Sequence, residues 1–255
     1  MHGSTGAAEL RTAKVSTKSS NLLYTRLVYN TAFPGEDDNP AGATAACYAA
    51  RQTDTELPFR PNGGFRDGGM HDGVLYRQTD LEGWMARAEL AEIILPGGVL
   101  RVDRVSLPYS HDLLLGHFAL PHAGGGSVTV QRFDVAGAPA IIAHGPDGRA
   151  VALVALYGWD EVGSELHTGL SPESDDSTLI YARHARSAPY TGMALLVTLL
   201  LHRSDGSDWT EAELSPVVSL EILPWSPSGS PCGARVVMLD GREHLIDFGT
   251  MGGRL

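Results

Sequence analysis

The residue types best suited to chemistry lie in the segment 59–72, which reads FRPNGGFRDGGMHD. Aromatic rings can stack on sugar faces, arginine binds carboxylates, and aspartate and histidine bond to hydroxyl groups. We therefore identify Arg66, Asp67, His71 and Asp72 as candidate substrate-binding residues. The alternative is a long connection between strands, in which the glycines only allow the chain to turn.

A cluster of histidines raises the question of a metal site. His111, His117 and His122 lie within twelve residues, and zinc needs three or four converging ligands. On a strand, His111 and His117 would share a face but lie about 20 Å apart, because each residue rises ~3.3 Å. We therefore expect no metal site and no cofactor.

Carboxylates are abundant, but their spacing singles out no catalytic pair. Hydrolysis of a glycosidic bond needs two carboxyl groups about 5 to 10 Å apart, and a lyase needs a tyrosine or histidine base with a charge-neutralising group. The candidate carboxylates are Asp67, Asp72, Asp103, Glu161, Glu165, Asp175 and Asp176. The catalytic residues therefore stay unknown, and we expect no independent enzymatic activity.

The elements that would position these residues are strands. Apolar and charged residues alternate in 99–105, which is typical of a half-buried antiparallel strand. The sequences 145–148 (GPDG) and 240–241 (DG) lie between apolar runs and predict hairpin turns. Similar short runs recur from residue 74 onwards, and they predict about eleven strands with little helix. The runs are 74–78, 85–94, 98–107, 113–120, 127–134, 139–144, 149–157, 178–184, 192–202, 216–223 and 234–247.

Other segments fill in the organisation. Residues 58–73, rich in Gly, Pro and Asp, predict an irregular loop. The Ala-rich stretch 41–51 fits either a short helical turn or a strand. Residues 1–20 are small and polar and predict a flexible N-terminal segment, so that 21–255 would form a single domain. Two packed antiparallel sheets are the expected architecture, that is, an all-β sandwich.

Three segments resemble one known module. They are LYTRLVYNTAF at 23–33, LPGGVLRVDRV at 95–105 and GHFAL at 116–120. The first is similar to an aromatic opening strand, the second to a Pro-Gly turn followed by an Arg-Val-His-Arg strand, and the third to a Gly-Gly-Phe-Ala-Leu segment. Asp103 stands where histidine is usual and His117 where glycine is usual. The module is the C-terminal β-sandwich of a two-domain bacterial family of unknown function, whose N-terminal part is an (α/α) toroid.

The resemblance implies an accessory domain of a carbohydrate-active protein. The family's architecture is similar to that of heparinase II/III-like lyases and some uronic-acid glycosidases, so it implies a large, supersandwich-like fold and an acidic oligosaccharide as ligand. It also implies a helical toroid encoded separately, and His117 joins the candidate substrate-binding residues. The alternatives are a free-standing carbohydrate-binding module, or a small sandwich enzyme acting on acidic sugars.

Composition limits the partners. The formal net charge is −11, which argues against binding a polyanion, whether DNA, RNA or a sulfated glycan, through general electrostatics, while leaving room for a local basic cleft. No apolar run approaches the 18 or more residues of a membrane span, and the N-terminus has no secretory h-region. We therefore expect a cytoplasmic protein that binds neither nucleic acid nor membrane, and a homo-oligomer is possible.

Overall fold

The structure is all-β. The computed structural model describes residues 9–13, 22–28, 46–51, 62–81, 86–107, 112–121, 126–167, 177–184, 192–224 and 231–251. These residues form seventeen strands and two short helices. In chain order the elements are β1 Glu9–Ala13, β2 Leu22–Val28, β3 Ala46–Arg51, β4 Asn62–His71, β5 Val74–Leu81, β6 Ala86–Leu95, β7 Gly98–Leu107, β8 Asp112–Pro121, β9 Thr129–Val135, β10 Ala138–His144, β11 Ala150–Tyr157, β12 Glu161–His167, β13 Ser177–His184, β14 Gly192–Arg203, α1 Glu211–Leu214, β15 Val217–Pro224, β16 Pro231–Met238, β17 Glu243–Asp247 and α2 Phe248–Met251.

The strands of the described residues form three antiparallel sheets. The eight-stranded sheet has the order β4-β5-β6-β7-β14-β11-β10-β9, the six-stranded sheet β1-β2-β3-β8-β13-β12, and the three-stranded sheet β15-β16-β17. Each face of the eight-stranded sheet has its own hydrophobic core. One core includes residues of β8, β12 and β13, and the other includes residues of β16 and β17. The eight-stranded sheet is therefore the middle of three layers.

The sequence of β14 shows why its sheet lies in the middle. Leu196 and Leu200 belong to the core shared with the six-stranded sheet, whereas Leu195 and Leu199 belong to the core shared with the three-stranded sheet. Side chains alternate between the two faces of a strand, so a strand covered on both faces reads as a continuous apolar run. Burying each leucine stabilises the fold by roughly 1.5 to 3 kcal/mol.

Tight hairpins connect neighbouring strands in the middle sheet and in the three-stranded sheet. Asp72 and Gly73 both have positive φ, 49° and 77°, which is the two-residue type I′ geometry that fits the twist of a hairpin. The hairpins predicted at 145–148 and 240–241 are confirmed, since β10 pairs with β11 and β16 with β17. The strand predicted at 85–94 is confirmed as β6, which covers Ala86–Leu95.

Three features differ from the sequence-based expectation. The loop predicted at 58–73 is wrong for most of its length, because β4 occupies Asn62–His71 and pairs with β5. Register shifts between Asn62 and Arg66 and between Asp67 and Gly69 accommodate its glycines as irregularities within a paired strand. Strand β1 lies within 1–20, where the composition gave no indication of a strand.

The third sheet is the other difference. The all-β antiparallel prediction is confirmed, but two layers and about eleven strands were expected. In β17 exposed and buried residues alternate just as they do in a sandwich strand, so periodicity identifies its apolar face without showing which sheet it joins.

Neither of the two four-residue helices in the described part of the chain could span a membrane.

Candidate functional site

The predicted binding residues of segment 59–72 lie on an edge strand. Arg66 and Asp67 belong to β4, opposite Gln78 and Arg77 of β5. The backbone of both is described, whereas their side chains, like residues 59–61, lie outside the described part. Arg66 and Asp67 are four to six residues from the hairpin tip, which corresponds to about 13 to 20 Å along a strand.

His71 and Asp72 lie at the tip of the β4–β5 hairpin, and both are exposed. The ring of His71 lies 6.1 Å from that of Tyr76, which in turn contacts Phe248 edge-on at 6.3 Å. Burial raises the pKa of the Tyr76 hydroxyl above its usual value. Tyr76 is therefore a neutral, packed side chain that supports the hairpin and is not a ready base.

The structure does not bring His117 to these residues. His117 lies in β8, where its neighbours across the six-stranded sheet are Ala46 and Ile180. Strand β8 contacts β11 of the middle sheet, and five strand spacings separate β11 from β4. At ~4.8 Å per strand this is about 24 Å. The side chain of His117, like the residues His111 and His122, lies outside the described part.

A groove of about 560 Å³ lies at the end of the middle sheet, next to the three-stranded sheet. Its walls come from the β6–β7 turn, the end of β14, helix α1 with the loop before it, and the β16–β17 turn. The lining residues are Leu95, Pro96, Gly97, Leu201, His202, Arg203, Trp209, Ala212, Glu213, Pro216, Met238, Leu239, Asp240 and Arg242. This volume is within the usual range for small-molecule sites.

One wall of the groove is a network centred on Arg203. Its guanidinium lies 5.1 Å from the centre of the Trp209 ring and forms an ion pair with Glu213. It also donates to the Ser207 hydroxyl at 3.0 Å and to the Asp208 carbonyl. A cation over an indole face is attractive, and these bonds fix both groups. Arg203 therefore holds Trp209 in place and has few donors left for a ligand.

Helix α1 supplies the other half of this network. Thr210 caps the helix and accepts a hydrogen bond from the Glu213 backbone, while the Glu213 carboxylate accepts from the Thr210 backbone and hydroxyl. These bonds from Thr210, followed by the charge of Arg203, lower the pKa of Glu213. Glu213 is therefore ionised at neutral pH, and the capping box couples the helix to the groove.

The β16–β17 part of the lining carries a second arginine. Arg242 follows the β16–β17 turn and donates from Nε to the Asp240 carboxylate at 2.6 Å. The Arg242 backbone N–H also donates to Asp240, and this bond is the main reason why the pKa of Asp240 lies below its usual value. In the described part of the chain, no hydrogen bond uses the two terminal nitrogens of Arg242. They remain available to an acceptor that enters the groove.

The floor of the groove adds no positive charge. His202 is 6% exposed, and burial lowers the pKa of its imidazole from 6.5 to about 4. It is therefore neutral at physiological pH. The apolar floor and walls come chiefly from Leu201, Met238 and Leu239.

The hairpin tip of β4–β5 adjoins this groove. Val74, just after the tip, pairs with Ile93 of β6, two residues before Leu95 in the groove wall. On the other side, the ring of His244 lies 3.7 Å from the position of a Cβ built on Gly73. His244 follows Arg242 by two residues. His71 and Asp72 therefore extend the rim of the groove.

No family model matches the chain, and no curated protein does. Among solved structures, the heparan sulfate lyase HepC from Pedobacter heparinus is similar over 89% of this chain and 39% of its own, with 9% identity and a TM-score of 0.45. A structure described as heparinase III is similar over 77% of this chain and 28% of its own, with 10% identity and a TM-score of 0.43. The chain thus spans well under half the length of either protein. The function proposed below rests on the groove and not on this similarity.

Chemically, the groove is suited to binding. It combines an immobilised indole, ionised carboxylates that accept hydrogen bonds, and an arginine with donors to spare. Within the described residues, no three His, Cys, Asp or Glu side chains converge to hold a metal ion. Sequence reasoning missed this site, although two signals pointed to parts of it: the Thr210-x-x-Glu213 capping box and the Asp240-Gly241 turn that presents Arg242.

Proposed function

We propose that this chain is an accessory β-sandwich domain of a carbohydrate-active protein, and that it binds an acidic oligosaccharide in the groove without catalysing a reaction itself. The observation that carries the proposal is the placement of Trp209 and Arg242 in one groove, from two separate segments. An aromatic ring with a few polar groups is the usual composition of a small-ligand site.

The hydrogen-bond donors of the groove support an acidic ligand, although each arginine of the lining is also paired with a carboxylate, Arg203 with Glu213 and Arg242 with Asp240. The protein carries a net charge of −11, so an anion is not attracted by the molecule as a whole. Recognition must be local, and Arg242 offers two unused terminal nitrogens in the planar geometry that binds a carboxylate. Arg203 is occupied by Glu213 and by neighbouring oxygens, and therefore orients Trp209.

The candidate residues selected from the sequence remain part of the proposal, but they lie at different distances from the groove. His71 and Asp72 lie on the rim of the groove and can contact a ligand longer than one sugar unit. Arg66 and Asp67 lie further along β4, where an extended chain would have to follow the edge of the sheet. His117 lies in a different sheet and would belong to a separate contact.

An accessory role explains why the groove would bind an oligosaccharide although no set of catalytic residues can be identified in this chain. In this proposal the catalytic groups belong to a helical toroid, and the sandwich contributes affinity at a shared cleft. A free-standing binding module would use the same groove, so the two versions differ in whether a toroid partner adds to the affinity.

The test is a calorimetric titration of the purified chain with a uronic-acid-containing oligosaccharide and with a neutral oligosaccharide of equal length. We expect the acidic ligand to bind more tightly. Arg242→Ala should weaken that binding roughly ten- to a hundredfold, because a hydrogen bond to a charged group contributes roughly 1.5 to 3 kcal/mol. Trp209→Ala should weaken it as well, because the ligand loses the aromatic surface of the groove.

Leu245→Ala and Arg235→Ala are matched controls, because both residues are exposed on strands of the three-stranded sheet and neither lines the groove. They should leave the affinity unchanged. Equal weakening by the groove variants and the controls would contradict the proposal, as would the absence of binding to both oligosaccharides.

A further inference from the structure

Strand β9 forms one edge of the eight-stranded sheet. It pairs with β10 on one side, and the described residues contain no strand on the other side. An edge of this kind presents unpaired N–H and C=O groups, which are a template for another strand. Gln131, Arg132 and Asp134 of β9 are all exposed.

The β9–β10 turn determines which backbone groups face outward. Ala136 and Gly137 have φ values of 50° and 84°, which is the type I′ geometry, and Val135 pairs with Ala138 across the turn. In such a two-residue hairpin the flanking residues form a hydrogen-bonded pair, and hydrogen-bonded and non-bonded pairs then alternate. The backbone groups of Val135 therefore point to β10.

By the same alternation, Phe133 and Gln131 also direct their backbone groups to β10, and Val130, Arg132 and Asp134 direct theirs to the open edge. The residue opposite Asp134 is Pro139. Proline has no N–H to donate, which fits a non-bonded pair at this position.

The charged side chains of β9 can pair with those of a second copy of the same strand. Arg132 and Asp134 lie two residues apart and therefore project from the same face of the strand. Neither forms a hydrogen bond or an ion pair within the described part of the protein. In an antiparallel pairing of two copies of β9 centred on Phe133, Arg132 of each copy lies directly opposite Asp134 of the other.

Two copies of β9 can pair antiparallel in several symmetric registers, and the charges of the facing side chains favour this one. Only shifts by two residues keep outward backbone groups facing each other. A shift in one direction places Arg132 opposite Arg132, and a shift in the other places Asp134 opposite Asp134. Like charges directly opposite one another are destabilising, whereas opposite charges stabilise a pair of strands.

We propose that two copies of this chain associate through β9, antiparallel about a twofold axis at Phe133, and that their eight-stranded sheets join into one continuous sheet. Arg132 of each copy exchanges backbone hydrogen bonds with Asp134 of the other copy. On one face of the joined sheet, the side chains of these residues form two symmetry-related ion pairs. On the other face the half-buried rings of the two Phe133 residues meet at the axis. The interface lies on the opposite edge from β4 and leaves the groove open.

The experiment is sedimentation equilibrium of the full chain from low micromolar to several hundred micromolar concentration. Wild-type protein should form dimers and no larger species, because a twofold interface is closed. Arg132→Asp and Asp134→Arg should each weaken the dimer about tenfold or more, since each converts two attractive pairs into two repulsive ones. The doubly exchanged protein, R132D/D134R, should recover the wild-type affinity.

Gln131→Glu is the control, because it changes the charge of the same strand on the opposite face. It should leave the dimer unchanged, and circular dichroism of every variant checks that the fold is intact. A monomer at all concentrations would overturn the proposal. It would mean that the charges on this edge strand prevent association. A dimer that is insensitive to the single variants, or one that the double variant fails to restore, would overturn it as well.

Discussion

The buried imidazole of His202 makes a quantitative prediction about stability and pH. His202 is 6% exposed at the end of β14, and burial lowers the pKa of its side chain from 6.5 to about 4. In the unfolded chain the same group titrates near 6.5. As the pH falls below 6.5, the unfolded chain takes up a proton that the native protein does not bind.

The loss of stability follows from this difference in pKa. It begins near pH 6.5, grows as the pH falls, and is complete near pH 4, where the native imidazole also becomes protonated. Each pKa unit corresponds to about 1.4 kcal/mol. At pH 5 the unfolding free energy should therefore be lower by about 2 kcal/mol than at pH 8 because of this residue alone.

Replacement of His202 by glutamine, which does not titrate, isolates this contribution. Urea unfolding of wild-type and His202→Gln proteins at pH 8, 6.5 and 5 gives the free energy of unfolding at each pH. The variant can be less stable at every pH, but its loss between pH 8 and pH 5 should be smaller than that of the wild type by about 2 kcal/mol. An equal loss in both proteins would refute a neutral, buried His202.

Two further predictions concern the groove and its supports. Gly98→Ala should destabilise the protein strongly, because a Cβ built at this position overlaps the Leu200 backbone carbonyl in the neighbouring strand, and thermal unfolding should show a large fall in Tm. A Tm close to that of the wild type would show that β7 and β14 are less closely packed than described. Thr210→Ala should cost about 1 kcal/mol through loss of the helix cap, and should also weaken ligand binding, since Glu213 loses two of the hydrogen bonds that position it against Arg203. If this variant binds the ligand as tightly as the wild type does, the helix cap does not contribute to ligand binding in the groove.

Much of the middle sheet could be predicted from sequence. Strands β6, β7, β10, β11 and β14 have clear apolar runs, and turns such as Asp147-Gly148 have a definite backbone requirement. Strand β4 could not be predicted, because its glycines weaken the pattern and its pairing with β5 depends on bulges that only the neighbouring strand determines. The Asp72-Gly73 turn carried the expected hairpin signal, but the surrounding glycines obscured it.

The candidate site was predicted only in part. Segment 59–72 drew attention to His71 and Asp72, which lie on the groove rim. The groove itself depends on Arg203 and Arg242, which are far apart in sequence and come together because the three-stranded sheet packs against one face of the middle sheet. No spacing in the sequence encodes that contact. Trp209 lies in a polar turn, where its role depends on the arginine that lies over its ring.

The most direct test of the central claim is a calorimetric titration of wild-type and Arg242→Ala proteins with the same uronic-acid-containing oligosaccharide. The groove proposal predicts binding by the wild type, weakened roughly ten- to a hundredfold in the variant, since the loss is that of a charged hydrogen-bonding group. Both proteins should unfold at nearly the same temperature, because Arg242 is exposed. Equal affinity of the two proteins for this ligand would contradict the assignment of the groove as an acidic-saccharide site.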